Sequence, residues 1–179
     1  QIFTHGPRNS IRNKMDYSLI KSNTKDLNLS VHGAYTTVSI WKINKNNKTT
    51  DKSKKIIEDI KDHLKACNEI NAWGLVIHIT KQKPDIVSYC VKLLKTSSVK
   101  NNIKLLLEMV SNKADKDKTY ETPEKINNLT ELIGVDNWWG WCVDTAHLWG
   151  AGIDVKSYEK MKKWLDDIKY KEKILMFHL

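Results

Sequence analysis

Short apolar runs alternate with longer segments of helical periodicity along the whole chain of 179 residues. The run Trp73–Ile79 is almost continuously apolar, which is typical of a parallel strand buried on both faces. Between such runs, apolar residues recur at intervals of three and four, as in amphipathic helices. This order predicts strands over 27–32, 73–79, 103–110, 139–145 and 173–179, and helices over 56–70, 84–94, 122–133 and 157–168. Thr122 and Ser157 are expected to cap the last two helices, and Gly134 to end the third.

Strand–helix alternation of this kind requires a parallel sheet with right-handed crossovers. A doubly wound open sheet and a (β/α)8 barrel both satisfy it. No glycine-rich phosphate loop follows the first strand, which counts against nucleotide-binding forms of the open sheet. The sequence therefore predicts an α/β fold and favours a TIM barrel in one domain over residues 1–179. The chain begins at Gln1 in an extended segment and stops inside its last strand, so we expect an incomplete barrel of about six of the eight units.

The charge balance gives the first indication of a partner. There are 30 Lys and Arg against 21 Asp and Glu, a net charge of +9 that suits a polyanion such as nucleic acid, although solvated surface lysines would give the same balance. No long apolar segment and no signal peptide are present, so we expect no membrane association and an intracellular location. The cysteines Cys67, Cys90 and Cys142 lack metal-site or disulfide spacing and are expected to be core thiols.

Metal-competent side chains stand at the carboxyl end of every predicted strand. In a barrel these ends form one rim, where active sites of this fold are built. A single histidine in such a place is more often a core residue than a ligand, but the series as a whole favours a site. The residues are His32, His78, Glu108, Asp144 and His178, with His147 three residues beyond Asp144.

Imidazoles and carboxylates without thiolate suit zinc, manganese or iron. Six side chains exceed the needs of one tetrahedral ion, so two or more metals sharing a bridging carboxylate are expected. Glu108 is central in the series and is the expected bridge. Clustered metals are typical of phosphodiester hydrolysis, but a metal-dependent sugar isomerase or epimerase would also use such a rim.

Several segments resemble the endonuclease IV family of zinc-dependent apurinic/apyrimidinic endonucleases. The segment 142–152 reads C-V-D-T-A-H-L-W-G-A-G, which is similar to the family motif C-I-D-T-x-H-x-x-A-A-G. The terminal M-F-H-L is similar to the start of its M-H-L-N-D-A motif, and F-T-H-G-P-R (3–8) and H-G-A-Y (32–35) are similar to segments after its second and third strands. The resemblance covers the whole chain and is greatest to the versions carried by large DNA viruses.

The resemblance implies a hydrolase of base excision repair that cuts double-stranded DNA on the 5′ side of an abasic site and leaves a 3′-hydroxyl. It implies that His32, His78 and Glu108 hold one zinc, that Glu108, Asp144 and His178 hold a second, and that His147 belongs to a third. Up to three zinc ions occur in the family, and two fit the ligands present. Arg8 and Tyr35 match positions that enter the DNA stack while the abasic sugar is flipped out. A monomer in the nucleus or cytoplasm of a host cell, or in a virion, is implied as well.

Departures from the family keep other interpretations open. Glu108 is followed by Met109-Val110 where Asn-Thr is usual, and His78 by Ile79-Thr80 where Pro-Gly is usual, so the support around the metals is expected to differ. A weak or inactive fragment that binds DNA through its charge is therefore a third interpretation, beside the nuclease and the isomerase. Lysine-rich loops over 42–55 and 111–121 are candidate phosphate contacts. Trp138, Trp139 and Trp141 are expected in the core, Trp149 near DNA, and His5 and His63 on the surface.

Overall fold

Five parallel strands form the only sheet within the described part of the chain, in the order β1-β2-β3-β4-β5. The computed structural model describes residues 1–8, 11–37, 50–79, 82–111 and 119–179. The strands are β1 (Ser30–His32), β2 (Gly74–Ile79), β3 (Lys104–Met109), β4 (Trp139–Asp144) and β5 (Ile174–His178). The helices are α1 (Tyr17–Asn23), α2 (Asp51–Glu69), α3 (Pro84–Lys92), α4 (Lys95–Asn101), α5 (Pro123–Ile133), α6 (Thr145–Gly150) and α7 (Tyr158–Asp166).

Strands that follow one another in the chain are also neighbours in the sheet. This order belongs to a (β/α) barrel, since a doubly wound sheet reverses direction at a switch point. Ile2 forms a further parallel bridge to Val31, which places the amino-terminal segment along the other side of β1. The predicted α/β class and the incomplete barrel are therefore confirmed.

Local signals set most of the element boundaries. The side chains of Thr50, Thr122 and Ser157 accept hydrogen bonds from the first turns of α2, α5 and α7, and Gly134 follows α5 with a φ of 100°. The helix predicted over 84–94 ends at Lys92, and a separate helix, α4, follows it before Asn102 turns the chain in the left-handed region. The sequence interpretation also missed α1 and α6. Residues 27–29 precede β1 and are not part of it.

The main core lies between the sheet and its helices. The expected burial of the indoles is confirmed: Trp139 donates from Nε1 to the Gly134 carbonyl at 2.8 Å, and Trp141 donates to Thr130 Oγ1 at 3.0 Å. All three cysteines are buried and none of them forms a disulfide, as expected for core thiols. A second, smaller cluster of Val76, Leu106 and Cys142 lies apart from this core. Among the described residues, no helix is both long and apolar enough to cross a bilayer.

The expectation that His5 and His63 lie on the surface is wrong. Their exposed fractions are 1% and 0%. His63 lies on the buried face of α2 between Ile60 and Leu64, and His5 stacks on its ring. Burial costs these imidazoles little, because each has hydrogen-bond partners that replace the lost water.

We expect Gly140→Ala to destabilise the fold by about 1–3 kcal/mol, because the added methyl overpacks the β4–β5 contact. A Cβ at this position would lie 2.5 Å from Leu175 Cδ1 and 2.8 Å from the Lys173 carbonyl oxygen. Urea unfolding of the wild type, G140A, L175A and the double variant measures this. L175A should rescue G140A only in part, since the backbone oxygen remains. Unchanged stability of G140A would contradict the observed strand register.

Candidate metal centre

The six metal-competent side chains predicted from the strand ends lie together, with the carboxylate of Glu108 at their centre. Nε2 of His32 and Nε2 of His78 each lie 3.3 Å from Oε2 of Glu108. On its other side, Nδ1 of His147 and Nδ1 of His178 lie 3.3 Å and 3.4 Å from Oε1. Asp144 completes the group, with its Oδ2 at 3.7 Å from His178 Nδ1.

Parallel register produces this convergence. His78 on β2 is the Cα partner of Glu108 on β3, and Asp144 on β4 is the partner of His178 on β5. His32 ends β1 beside Val76, two residues before His78. Each of these side chains is thus carried by the last residues of a strand, and all but the half-exposed β5 are buried strands covered by the outer helices.

The contacts of His32 fit a centre that holds a cation. Its Nδ1 lies 2.7 Å from the carbonyl oxygen of Gly33, which can only accept, so Nδ1 carries the proton. In the neutral form of the ring this leaves the lone pair of Nε2 facing Oε2 of Glu108, which is also an acceptor. Oε2 is buried and has no hydrogen-bond partner within the described residues. Two facing acceptors at 3.3 Å are favourable only when a cation or a proton lies between them.

The charge of Glu108 follows from its neighbours. Burial opposes ionisation, but the contacts with His147, His32 and His78 outweigh it and hold the pKa of Glu108 below its usual range. The same contact with Glu108 raises the pKa of His147. An ionised carboxylate with an exposed fraction of 1% is therefore held among imidazoles, the arrangement that a divalent ion would neutralise.

Asp144 has two roles in the centre. Its Oδ1 accepts a hydrogen bond of 2.7 Å from the backbone N–H of His147 and so caps α6. This cap fixes Oδ2 at 3.8 Å from His147 Nδ1 and toward His178. The short helix α6, which sequence periodicity did not predict, is thus the element that turns His147 back over the strand ends.

Three groups of side chains within the described residues have ligand atoms close enough to hold an ion, and Glu108 belongs to all of them. They are His32–His78–Glu108, Glu108–Asp144–His147 and Glu108–Cys142–His178, each with its ligand atoms within 4.8 Å of one another. The first is the set implied by the resemblance. The other two combine the remaining ligands differently, with His147 beside Asp144. Glu108 is thus the one side chain common to the three groups.

Sequence reasoning missed the position of Cys142. It is the Cα partner of Glu108 in the β3–β4 register, and it lies two residues before Asp144, on the same face of β4. Burial raises the pKa of its thiol well above the usual range, and Glu108 and Asp144 add to this. All three influences favour the protonated thiol over the thiolate.

Of the two residues expected to contact DNA, Tyr35 lies beside the metal-competent cluster. Tyr35 is 47% exposed, and its ring centroid lies 5.5 Å from those of both His32 and His78. The backbone N–H of Tyr35 donates to the Pro7 carbonyl at 2.7 Å. The exposed Arg8 directly follows Pro7 in the chain. Trp149 is 48% exposed on α6, with Lys156 Nζ 4.1 Å from its ring centroid.

The expected lysine-rich loops are described only in part. Residues 51–55 begin α2 and are not a loop, which corrects that portion of the prediction. Residues 42–49 and 112–118, which carry the other lysines of these loops, lie outside the described residues, as does Thr80.

The fold and the cluster together define an α/β-barrel protein with a group of metal-competent side chains at the carboxyl ends of its strands. Comparison with known proteins agrees, since the family described as xylose isomerase-like TIM barrel matches residues 2–179. The chain belongs to this family.

Relatives within it bear out the resemblance to endonuclease IV, viral versions included. A probable AP endonuclease of African swine fever virus is 29% identical over 194 residues, covering 100% of this chain and 60% of the viral protein. A probable endonuclease 4 of Mycoplasma mycoides is 26% identical and covers 99% of this chain and 64% of its own length. The crystal structure of AsfvAP:AG superimposes with a TM-score of 0.81 at 25% identity, over 99% of this chain and 58% of that one. The chain thus spans about three fifths of the length of these relatives.

Proposed function

We propose that this chain belongs to a zinc-dependent AP endonuclease, which hydrolyses the phosphodiester on the 5′ side of abasic sites in double-stranded DNA and leaves a 3′-hydroxyl for base excision repair. The observation that carries the proposal is the buried Glu108 carboxylate, shared by three groups of potential ligands. The names of the viral and bacterial relatives support the activity.

Two zinc ions suit the ligands present. His32, His78 and Glu108 would hold one, and Glu108, Asp144 and His178 the other, with His147 within reach of the second or of a third. Zinc accepts nitrogen and carboxylate oxygen ligands of this kind. When bound, such a pair of ions supplies hydroxide at neutral pH and neutralises charge on the phosphate.

The protein's own residues prepare the reaction by fixing these ligands. Glu108 would contribute to both ions, because its two oxygens face different imidazoles. The Gly33 carbonyl holds His32 in the tautomer that leaves Nε2 available. The cap made by Asp144 Oδ1 keeps the second oxygen of that carboxylate directed at the centre. Preorganisation of this kind removes the need for the ligands to rearrange during catalysis.

Arg8 and Tyr35 are proposed to contact the DNA. Tyr35 combines an exposed ring with a fixed backbone, and Arg8 offers a cation to the phosphates. An abasic nucleotide has no base pair to lose, so an inserted ring displaces it at low cost. The net charge of +9 adds sequence-independent affinity that weakens with salt. We further propose that the protein acts as a monomer inside the host cell.

We expect the complete product of the gene that encodes this chain to incise a duplex with one abasic site, and chelation to abolish this. Glu108→Gln should lower kcat/KM at least roughly a thousandfold, because loss of metal-centred stabilisation costs several kcal/mol. Glu121→Gln is the matched control, since Glu121 is also a buried glutamate, 4% exposed, but lies outside the cluster. Incision by E108Q at the wild-type rate would contradict the bridging role.

Two other interpretations predict different behaviour of Arg8 and Tyr35. If the nuclease proposal is right, Arg8→Ala and Tyr35→Ala should raise KM for abasic DNA by about 5- to 150-fold, since stacking contributes about 1–3 kcal/mol. Tyr35→Phe keeps the ring and should remain close to wild type. A sugar isomerase would show no loss in these variants. A non-catalytic DNA-binding fragment would bind abasic and intact duplexes equally, with strong salt dependence.

A further inference from the structure

Two buried histidines outside the metal centre join three segments of the chain. The rings of His5 and His63 are stacked, with centroids 3.7 Å apart and an interplanar angle of 17°. His5 belongs to the 4–8 segment, which leads to Arg8. His63 belongs to α2, on whose buried face it lies.

His63 also holds the segment that carries Tyr35. Its Nδ1 lies 2.7 Å from the carbonyl oxygen of Asp59, and its Nε2 lies 3.2 Å from the backbone N–H of Ala34. The carbonyl only accepts and the amide only donates, so Nδ1 carries the proton and Nε2 is the acceptor. Burial, followed by the neighbouring His5, lowers the pKa of His63 to about 4, consistent with this neutral ring. Ala34 stands between His32 and Tyr35, in the 32–35 segment.

His5 is fixed in a similar way. Its Nε2 lies 3.0 Å from Oδ2 of Asp62 on α2, and its Nδ1 lies 3.0 Å from Oγ1 of Thr4. Since the Asp62 carboxylate accepts, His5 donates to it from Nε2. The 4–8 segment is therefore tied to the same helix turn as the 32–35 segment. The hydrogen bond from Tyr35 N–H to the Pro7 carbonyl, 2.7 Å long, closes the connection between the two segments.

We propose that His63 is a positioning residue for DNA recognition: its Nε2 holds the Ala34 amide and thereby fixes Tyr35 and, across the Pro7 contact, Arg8. The expected effect on DNA binding and incision rests on the proposed function. The link from His63 through Ala34 to Tyr35 and Arg8 does not. Without the acceptor at His63 Nε2, the buried N–H of Ala34 would have neither a protein partner nor water to bind, and leaving such a group unpaired is costly. The metal ligands keep their own supports, so the effect falls on DNA binding and not on the metal.

His63→Asn and His63→Gln form a matched pair that tests the acceptor. The asparagine amide reaches the place of Nδ1 and keeps a donor for the Asp59 carbonyl, whereas the glutamine amide reaches the place of Nε2 and keeps an acceptor for Ala34. Both variants lose the stacked ring. The variants thus differ in which hydrogen bond they keep, so an impairment confined to H63N reports on the bond to Ala34, and one confined to H63Q reports on the bond to Asp59.

Amide hydrogen exchange at Ala34 in the complete gene product is the first readout. Exchange should accelerate at least tenfold in H63N and stay within threefold of wild type in H63Q. Incision of abasic duplex is the second readout: H63N should raise KM about tenfold with kcat within twofold, and H63Q should resemble wild type. Zinc content should be the same in all three proteins.

Equal behaviour of the two variants, whether both are impaired or both unaffected, would overturn the assignment. A fall in kcat with loss of zinc from H63N would also overturn it, because His63 would then support the metal centre. If the wild type binds zinc but does not incise, the proposed function fails, while the exchange measurement still decides the role of His63.

Discussion

A carboxylate buried among four imidazoles is the interaction on which this structure depends. Glu108 has an exposed fraction of 1%, and the rings of His32, His78, His147 and His178 approach its two oxygens at 3.3–3.4 Å. The neutral tautomer of His32 turns the lone pair of Nε2 toward Oε2, so at this contact two buried acceptors face each other. Buried groups of this kind are kept where a cation binds. The strands, their register and the short helix α6 all serve to bring these side chains together.

The remaining architecture supports that cluster from outside. The outer helices cover the sheet with an apolar layer, which makes the strand ends rigid anchors for polar side chains. The 4–8 and 32–35 segments carry Arg8 and Tyr35. Both segments are tied to α2 through the stacked rings of His5 and His63. A single helix thus connects the core, the metal-competent rim and the two residues proposed to contact DNA.

The strand order and the strand-end residues could be predicted from the sequence, because a buried parallel strand is an apolar run that ends in a polar residue. Other features depend on geometry that sequence periodicity does not carry. Cys142 lies beside Glu108 because of the strand offset between β3 and β4, and nothing local sets that offset. The short helix α6 is held by one capping carboxylate and is too brief to show a period. The buried position of His63 continues the apolar spacing of Ile60, Leu64 and Cys67, but a titratable side chain by itself predicts exposure to solvent.

Zinc bound per folded chain tests the central claim most directly. It would be measured by elemental analysis after extensive dialysis, with circular dichroism to establish folding, for the wild type, Glu108→Gln and Glu121→Gln. The account predicts close to two zinc ions in the wild type and in E121Q, and fewer than one in E108Q. A folded wild-type chain without zinc, or an E108Q variant that retains as much zinc as the wild type, would contradict it.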